Sequence, residues 1–395
     1  MRRFRAWAGM AAVLAVVVLA ASVSLALSAP RATGAGVPRP QPTTNPASLW
    51  KAVAAGHLFS LGLTQDGTLW SWGINGRGQL GLGSAGDRSR PARVGSAGGW
   101  KAISAGASSL GLKTDGSLWS WGLNSHGQLG LGDTSIRTSP TRVGTDTDWK
   151  AIAAGGADFS LALKSDGTLW AWGRGGAGGG TADRLTPTRI GSDTDWKEIA
   201  AGLGHALALK TDGSLWAWGA NSMGELGLGY QADEDGRDVT VPTRVGNSTQ
   251  WTRIAGGAFV SLALRSDGSL WAWGLTGLKD GPTFAPVRVG VAKTWSAIAA
   301  GDPHFCLARK RNGTLWAWGE NLHGSLGLGD TRDRTRPTQI GSDRYWTAMS
   351  AGNFGVLALK RGGTLWAWGA DGHGQLGLGS HKDRLGPKFV PWPRL

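Results

Sequence analysis

Residues 196–229 read WKEIAAGLGHALALKTDGSLWAWGANSMGELGLG, and variants of this stretch occur seven times between Trp50 and the C-terminus. The tetrapeptide W-[SA]-W-G marks each copy, at intervals of 45 to 55 residues. Its first residue is Trp70, Trp119, Trp170, Trp216, Trp271, Trp316 or Trp366. Another tryptophan precedes each tetrapeptide by about twenty residues. A period of this length indicates one repeated supersecondary unit.

Each repeat predicts four short β-strands. Apolar runs such as WKEIAAG, LALK and SLWAWG are followed by a fourth run such as PTRVG. A dipeptide that accepts positive φ separates the second run from the third, which is a strong hairpin signal. These dipeptides are Asp66-Gly67, Asp115-Gly116, Asp166-Gly167, Asp212-Gly213, Asp267-Gly268, Asn312-Gly313 and Gly362-Gly363.

Four antiparallel strands per repeat predict an all-β, seven-bladed β-propeller over residues 50–395. We expect four-stranded blades at about 50–99, 100–148, 149–195, 196–250, 251–294, 295–345 and 346–395. Small Ala-Ala-Gly residues suit the crowded axis, and each indole can bury about 150–250 Å² between blades. The tail KFVPWPRL resembles a fourth strand, so we expect closure by pairing near the segment that starts at Trp50.

Two segments precede the repeats. Arg2, Arg3 and Arg5 are followed by a stretch, residues 6–29, without a charged residue. This pattern predicts that residues 1–29 are an export signal peptide or an uncleaved membrane anchor helix. Residues 30–49 contain five prolines and predict an extended tether. The expected location is therefore extracytoplasmic, either secreted or anchored.

Composition narrows the kinds of partner and chemistry. The chain of 395 residues has a formal net charge of +14, which favours anionic partners or is simply carried on solvated loops. Its single cysteine, Cys306, excludes an intrachain disulfide framework and a cysteine-based zinc site. We expect a monomer whose stability comes from packing.

The repeat pattern A-G-x-x-H-x-L-A-L…D-G-x-L-W-x-W-G-x-N-x-x-G-x-L-G-L-G…P resembles the regulator of chromosome condensation repeat. The clearest copies are residues 201–229 and 351–379, and the resemblance covers residues 50–395. It implies a seven-bladed propeller. The founding family member is a nuclear nucleotide-exchange factor for a small GTPase, an activity that depends on a β-wedge for which this chain has no comparable insertion. Secreted bacterial members of the family, which include a propeller inhibitor of β-lactamase, match the compartment predicted for this chain better than the nuclear founding member does.

The glycine-rich loops and histidines favour structural roles. Five loops of the form G-x-L-G-L-G resemble phosphate loops, but no predicted helix follows them. His126, His323 and His373 share one repeat position, whereas His205 and His304 occupy the A-G-x-x-H position. Equivalent positions in different blades lie apart, so these histidines predict hydrogen bonds between strands rather than a metal site. We predict no catalytic, cofactor or metal site.

Departures from the repeat are the better candidates for binding. Repeats three and five are shortened, and repeat four carries the insertion YQADEDGRDVTV. Its residues Tyr230, Asp233, Glu234, Asp235 and Asp238 form either a solvated acidic loop or a contact for a basic partner or calcium. A calcium site is the weaker alternative, because the spacing does not match an EF-hand loop. The equivalent loops of other repeats are basic instead. Their residues should gather on one face or rim and form a docking surface for anionic groups: Arg88, Arg90, Arg332, Arg334, Arg336, Lys382 and Arg384.

The resulting hypothesis is a non-enzymatic, exported or membrane-tethered scaffold that binds a protein through its loops. An acidic protein partner is favoured over nucleic acid, because the basic loops lack interleaved aromatic residues. The membrane is contacted only through the N-terminal segment. Alternatives are an inhibitor or regulator of a secreted enzyme, a guanine-nucleotide exchange factor, and a cell-wall carbohydrate binder that would need exposed aromatics such as Tyr230.

Overall fold

The computed structural model describes residues 49–156, 158–175, 180–231, 238–278 and 281–392. The predicted signal segment, most of the tether, and Asp233, Glu234 and Asp235 of the acidic insertion lie outside these ranges. No helix among the described residues is long and apolar enough to cross a membrane.

Within these ranges the chain forms 28 β-strands in seven sheets. The first strands of the blades are β1 (Trp50–Ala55), β5 (Trp100–Ala105), β9 (Trp149–Ala154), β13 (Trp196–Ala201), β17 (Trp251–Gly256), β21 (Trp295–Gly301) and β25 (Trp346–Ala351). The second strands are β2 (Phe59–Thr64), β6 (Ser108–Lys113), β10 (Phe159–Lys164), β14 (His205–Lys210), β18 (Val260–Arg265), β22 (Phe305–Lys310) and β26 (Gly355–Lys360). The third strands are β3 (Leu69–Gly73), β7 (Leu118–Gly122), β11 (Leu169–Gly173), β15 (Leu215–Gly219), β19 (Leu270–Gly274), β23 (Leu315–Gly319) and β27 (Thr364–Gly369). The fourth strands are β4 (Arg88–Arg93), β8 (Arg137–Arg142), β12 (Arg184–Arg189), β16 (Val239–Arg244), β20 (Thr283–Arg288), β24 (Arg334–Gln339) and β28 (Arg384–Phe389).

Each blade is an antiparallel sheet of four strands that follow one another in sequence. The predicted all-β, seven-bladed propeller is therefore confirmed. The antiparallel order gives the ring two faces. We call the face with the first-to-second and third-to-fourth connections the loop face, where Ile74 N donates to Leu58 O at 2.9 Å. The other is the hairpin face, with the second-to-third turns and the links between blades.

The first strands surround the axis, and each contacts the first strand of both neighbouring blades. Small residues are required at their loop-face ends. A Cβ on Gly106 would lie 2.4 Å from the Gly155 carbonyl oxygen of the next blade. Backbone hydrogen bonds join the blades here, as in His57 N to Gly106 O at 3.2 Å. The Ala-Ala-Gly sequence thus permits backbones to meet at the axis.

Tryptophans of the third strands fill the space between blades. The second tryptophan of each W-x-W-G is fully buried, and in at least five blades its indole nitrogen donates to a described backbone carbonyl of the preceding blade. Trp121 Nε1, for example, donates to Gln79 O at 3.0 Å. The L-G-L-G loop brings this carbonyl into place, because a Cβ on Gly81 would lie 2.8 Å from Trp121 Nε1. These glycine-rich loops therefore connect blades.

A cation lies over two tryptophans in blades 2 to 7. Lys164, at the end of a second strand, is 4.9 Å from the ring centroids of both Trp149 and Trp170. Its counterparts are Lys113, Lys210, Arg265, Lys310 and Lys360. Such cation–π contacts connect the first and third strands within each blade.

The prediction that the ring closes by strand pairing between the C-terminal tail and the segment that starts at Trp50 is wrong. Strand β28 pairs only with β27, because each blade already has four strands from its own repeat. The tail instead places Trp392 against the tryptophans of blade 1, 5.1 Å from Trp50 and 5.6 Å from Trp70. Blade 1 has Thr64 where the other blades have the cation, so Trp392 contacts the same two rings that the cation contacts elsewhere.

Candidate interaction surfaces

The seven basic residues predicted from the sequence lie at the loop-face rim of three consecutive blades. They stand at or beside the start of the fourth strands β4, β24 and β28, in blades 1, 6 and 7. Blades 7 and 1 adjoin where the ring closes. The structure thus brings the predicted basic positions to neighbouring blades.

Three of these residues are occupied by their own loops. Arg334 Nη2 lies 2.8 Å from Asp330 Oδ2, and this hydrogen bond holds the pKa of Asp330 below its usual value. Arg384 donates to Ser380 Oγ at 3.1 Å, and Arg88 donates to the Gly86 carbonyl at 3.1 Å. These guanidinium groups close the third-to-fourth loops and have less capacity for a partner.

The other four basic residues are exposed. Arg90, Arg332, Arg336 and Lys382 form no ion pair with any residue in the described ranges. Unpaired cations on a rim attract anionic groups over about a Debye length, roughly 8–10 Å at physiological salt. These four, which we call the rim cations, are the part of the predicted basic surface that remains available.

The acidic insertion lies across the ring, in blade 4. Tyr230 is 52% exposed, and its carbonyl accepts a hydrogen bond from Asn221 Nδ2 at 2.9 Å, so the backbone of this tyrosine is fixed. Tyr230 is therefore an exposed aromatic residue on the loop face. In the same connection, burial raises the pKa of Asp238, and the charge of Arg174 in blade 3 opposes this rise.

Blade 5 has a shortened loop, and three buried polar atoms of blades 5 and 6 lack hydrogen-bond partners among the described residues. Trp318 Nε1 and His304 Nδ1 are buried with no hydrogen-bond partner among the described residues, as is Thr283 Oγ1. The equivalent Trp368 donates to Ser325 O at 2.9 Å. Loss of the L-G-L-G loop thus removes a link between two blades.

Histidines at the shared loop position form pairs between blades. His126 Nδ1 lies 2.8 Å from Asp183 Oδ2, and His323 Nδ1 lies 2.7 Å from Asp383 Oδ2 of the following blade. His373 is more distant, 3.9 Å from Asp87. These contacts use the histidines as links between blades.

The assignment of His205 and His304 to one position is wrong. His205 pairs with Gly219, whereas Phe305 pairs with Gly319, so Phe305 is the counterpart of His205. Blade 6 has an extra residue here, which leaves His304 in the preceding loop. His205 Nε2 lies 2.9 Å from Ser261 Oγ of the next blade. Burial lowers the pKa of His205 to about 3 and that of His304 to about 4.

Glu225 is a buried carboxyl on the loop face of blade 4. It replaces the glutamine found at Gln79, Gln128 and Gln375, and its Oε2 accepts from Met223 N at 2.6 Å. Burial raises the pKa of Glu225 to about 7. Within the described part of the chain, no three His, Cys, Asp or Glu side chains are placed to hold a metal ion.

A row of lysines on the hairpin face was missed by the sequence reasoning. Lys51, Lys101, Lys150 and Lys197 are the second residues of the first strands in blades 1 to 4, and all four are exposed. The signal was available, since WK begins these four repeats whereas WT or WS begins the other three. We call these residues the lysine arc.

The family model described as an RCC1-like domain matches residues 24–278. Models of the regulator of chromosome condensation (RCC1) repeat match residues 295–325, 312–359, 346–375 and 362–394. Prp20p from Saccharomyces cerevisiae, whose structure was described with its binding to Gsp1p and histones, is 22% identical over 83% of this chain and 87% of its own, with a TM-score of 0.69. Human WBSCR16 is 22% identical over 88% of this chain and 100% of its own, also with a TM-score of 0.69. At these identities the similarity shows the shared fold.

Proposed function

Because the chain belongs to the RCC1-like propeller family, we propose that it is a non-enzymatic scaffold that binds a protein through its loop face. The predicted export or anchor segment, residues 1–29, would place this scaffold outside the cytoplasm.

The loop-face asymmetry carries the proposal. Blades 3, 4 and 5 are consecutive, and their third-to-fourth connections depart from the repeat in three different ways. The glycines of the regular loops are occupied in contacts between blades, so the residues that depart from the repeat are, together with the rim cations, the ones available to a partner. Tyr230 supplies an exposed aromatic there, a residue type enriched at protein interfaces.

A capture experiment with matched tyrosine variants tests this function. The immobilised full chain should retain one saturable protein from the extracytoplasmic fraction of the source cells. Tyr230→Ala should weaken that complex at least fivefold, whereas Tyr345→Ala should not, because Tyr345 is similarly exposed (58%) on the hairpin face. Equal effects of the two substitutions, or retention of wall polysaccharide alone, would contradict loop-face protein binding.

The basic rim can be tested in the same way. Substituting Arg332 and Arg336 should weaken the binding of an acidic partner. Arg334→Ala should instead affect binding mainly by loosening the loop that the bond between Arg334 and Asp330 closes. The loop variant is expected to lower the unfolding midpoint, and the rim variant is not. A rim substitution that leaves affinity and its salt dependence unchanged argues against rim contacts.

Two kinds of partner make different predictions for the captured complex. An enzyme inhibitor would block turnover of its partner in a one-to-one complex. The similarity to Prp20p, which was described with its binding to Gsp1p and histones, points to partners of that kind, but basic histones are poorly matched to a chain of net charge +14. Accelerated nucleotide release from a small GTPase would favour the exchange-factor alternative instead.

The proposed location has its own test. Mass measurement of the chain from the source cells should show either loss of about residues 1–29 or an intact chain in the membrane fraction. An intact chain recovered entirely from the cytosol would overturn export without bearing on loop-face binding.

A further inference from the structure

We propose that the lysine arc binds an extended acidic peptide segment across the hairpin face, near the axis of the ring. This surface is separate from the loop face and goes beyond the proposed scaffold function. It includes Lys51, Lys101, Lys150 and Lys197, on the first strands of four consecutive blades.

A β-bulge explains why these side chains are exposed. In blade 1 Trp50 pairs with Thr64 and Ala52 pairs with Leu63, so Lys51 is the extra residue. The same register shift occurs at Lys101, Lys150 and Lys197. A bulge redirects a side chain away from the regular strand alternation. The lysine thus leaves the blade surface while the preceding tryptophan stays buried.

The arc also differs from other lysines of the hairpin face in its lack of partners. Lys164 and Lys210 each contact two aspartates, at 2.6 and 3.1 Å, and each lies over two tryptophans. Lys360 pairs with Asp343 at 2.6 Å. None of the four arc lysines forms an ion pair with a described residue. Their charges are therefore available to a ligand.

One carboxylate lies beside the arc, but it is already occupied. Glu198 accepts from Arg253 Nη1 at 3.2 Å and from Ile254 N at 3.1 Å, both in the next blade. Burial raises the pKa of Glu198, and the charge of Arg253 and, to a smaller extent, that of Lys197 oppose this rise. Glu198 thus serves mainly as a link between blades 4 and 5.

At this strand position the positive charge is confined to blades 1 to 4, on one side of the axis. Blades 5, 6 and 7 have Thr252, Ser296 and Thr347 at the same position. Each of these hydroxyls donates to a carbonyl of its own blade, at 3.1 to 3.2 Å. The ring thus presents a row of four cations rather than a closed circle, and a row suits a linear anion.

The spacing of the blades sets the length of the ligand. Packed sheets lie roughly 10 Å apart, so three steps between four blades cover at most about 30 Å. An extended chain advances about 3.3 Å per residue, so roughly nine or ten residues would span the arc. An acidic peptide of this length can place carboxylates beside all four lysines, whereas four residues would reach about two.

The test uses fluorescein-labelled decaglutamate and the full chain, measured by fluorescence anisotropy at low salt. In the arc variant all four lysines become threonine, the residue that blades 5 and 7 carry at this position. In the control variant the rim cations Arg90, Arg332, Arg336 and Lys382 become threonine. Both variants lose four exposed positive charges, so they have the same net charge.

The arc variant should bind decaglutamate at least tenfold more weakly than the parent chain. Exposed ion pairs each contribute a factor of roughly 1.4 to 5, and four of them compound. The control variant should lose less than threefold, and tetraglutamate should bind the parent more weakly than decaglutamate. Unchanged unfolding midpoints would show that both variants fold.

Three outcomes would overturn the proposal. They are an equal loss in the two variants, no measurable binding by the parent, and equally tight arc-dependent binding of a ten-nucleotide single strand, which would indicate general polyanion attraction. The arc variant should still capture the loop-face protein partner, so failure at one face is distinguishable from failure at the other.

Discussion

Replacing Gly327 by alanine isolates the contact through which one blade holds the next. Gly327 lies in the L-G-L-G loop of blade 6 at φ 68°, and a Cβ there would be 2.7 Å from Trp368 Nε1 in blade 7. Gly329, two residues later in the same loop, has φ 87° and no atom within 4 Å of its Cβ position. The two substitutions share the backbone cost but differ in the contact.

The expected difference follows from that geometry. An L-residue in the left-handed region costs about 1–2 kcal/mol, and both variants incur it. Gly327→Ala must also move the Trp368 indole, and overpacking a core costs about 1–3 kcal/mol. Displacing the indole weakens its bond to Ser325 O, and an unsatisfied buried donor costs about 1–3 kcal/mol. Gly327→Ala should therefore lose about 2–6 kcal/mol more than Gly329→Ala.

Urea unfolding followed by tryptophan fluorescence measures this difference, provided that the denaturant dependence is the same in both variants. Gly227 and Gly229 in blade 4 offer an independent pair. A Cβ on Gly227 would lie 2.8 Å from Trp273, whereas a Cβ on Gly229 would have no atom within 4 Å. Losses that agree within about 0.5 kcal/mol in both pairs would refute the role assigned to the loop glycines.

Three further outcomes are expected. Glu225→Gln should add about 3 kcal/mol to the free energy of unfolding at pH 8 and little at pH 4. The folded pKa of Glu225, about 7, lies above the usual 4.5, so ionisation of the glutamate destabilises the native state as pH rises between these values. A difference in urea midpoints that does not change with pH would contradict this. Trp318→Phe should cost about 1–2 kcal/mol less than Trp368→Phe, because only the Trp368 indole has a hydrogen-bond partner to lose; equal midpoints would be inconsistent with it. Cys306 is fully buried and burial raises its thiol pKa, so an aromatic disulfide reagent should label it only on unfolding; rapid labelling of the native chain would show the burial to be wrong.

Much of the architecture could be predicted because the same strand and turn signals recur in all seven repeats. Every predicted positive-φ dipeptide became a turn between the second and third strands, with Gly67 at φ 79° and Gly116 at φ 80°. In the first turn the Asp66 carboxylate accepts from Thr68 N at 3.0 Å, so the turn chemistry is local and visible in sequence. Local rules applied to seven copies fix the blade count.

The surfaces were less predictable because they depend on contacts that the repeat does not record. Arg334 looked available in sequence, yet Asp330 four residues earlier occupies it. An extra residue in blade 6 displaced His304 from the position of His205, and a pattern without register does not reveal such a shift. The lysine arc was visible in sequence as a WK pattern, but the exposure of Lys51 depends on a bulge that the pattern does not show. Sequence thus identified charged residues but not which charges were free.

The repeat also separates residues that hold the ring from residues that do not. The second tryptophan of W-x-W-G is present in all seven blades and fully buried in each, so the ring requires it. The second residue of the first strand is lysine in four blades and threonine or serine in three, while the bulge and the buried tryptophan before it persist. A position that accepts Lys51 in one blade and Thr252 in another does not need its charge for folding. Because exposed cations contribute little to stability, the concentration of lysine in four adjacent blades is better explained by a ligand than by the fold.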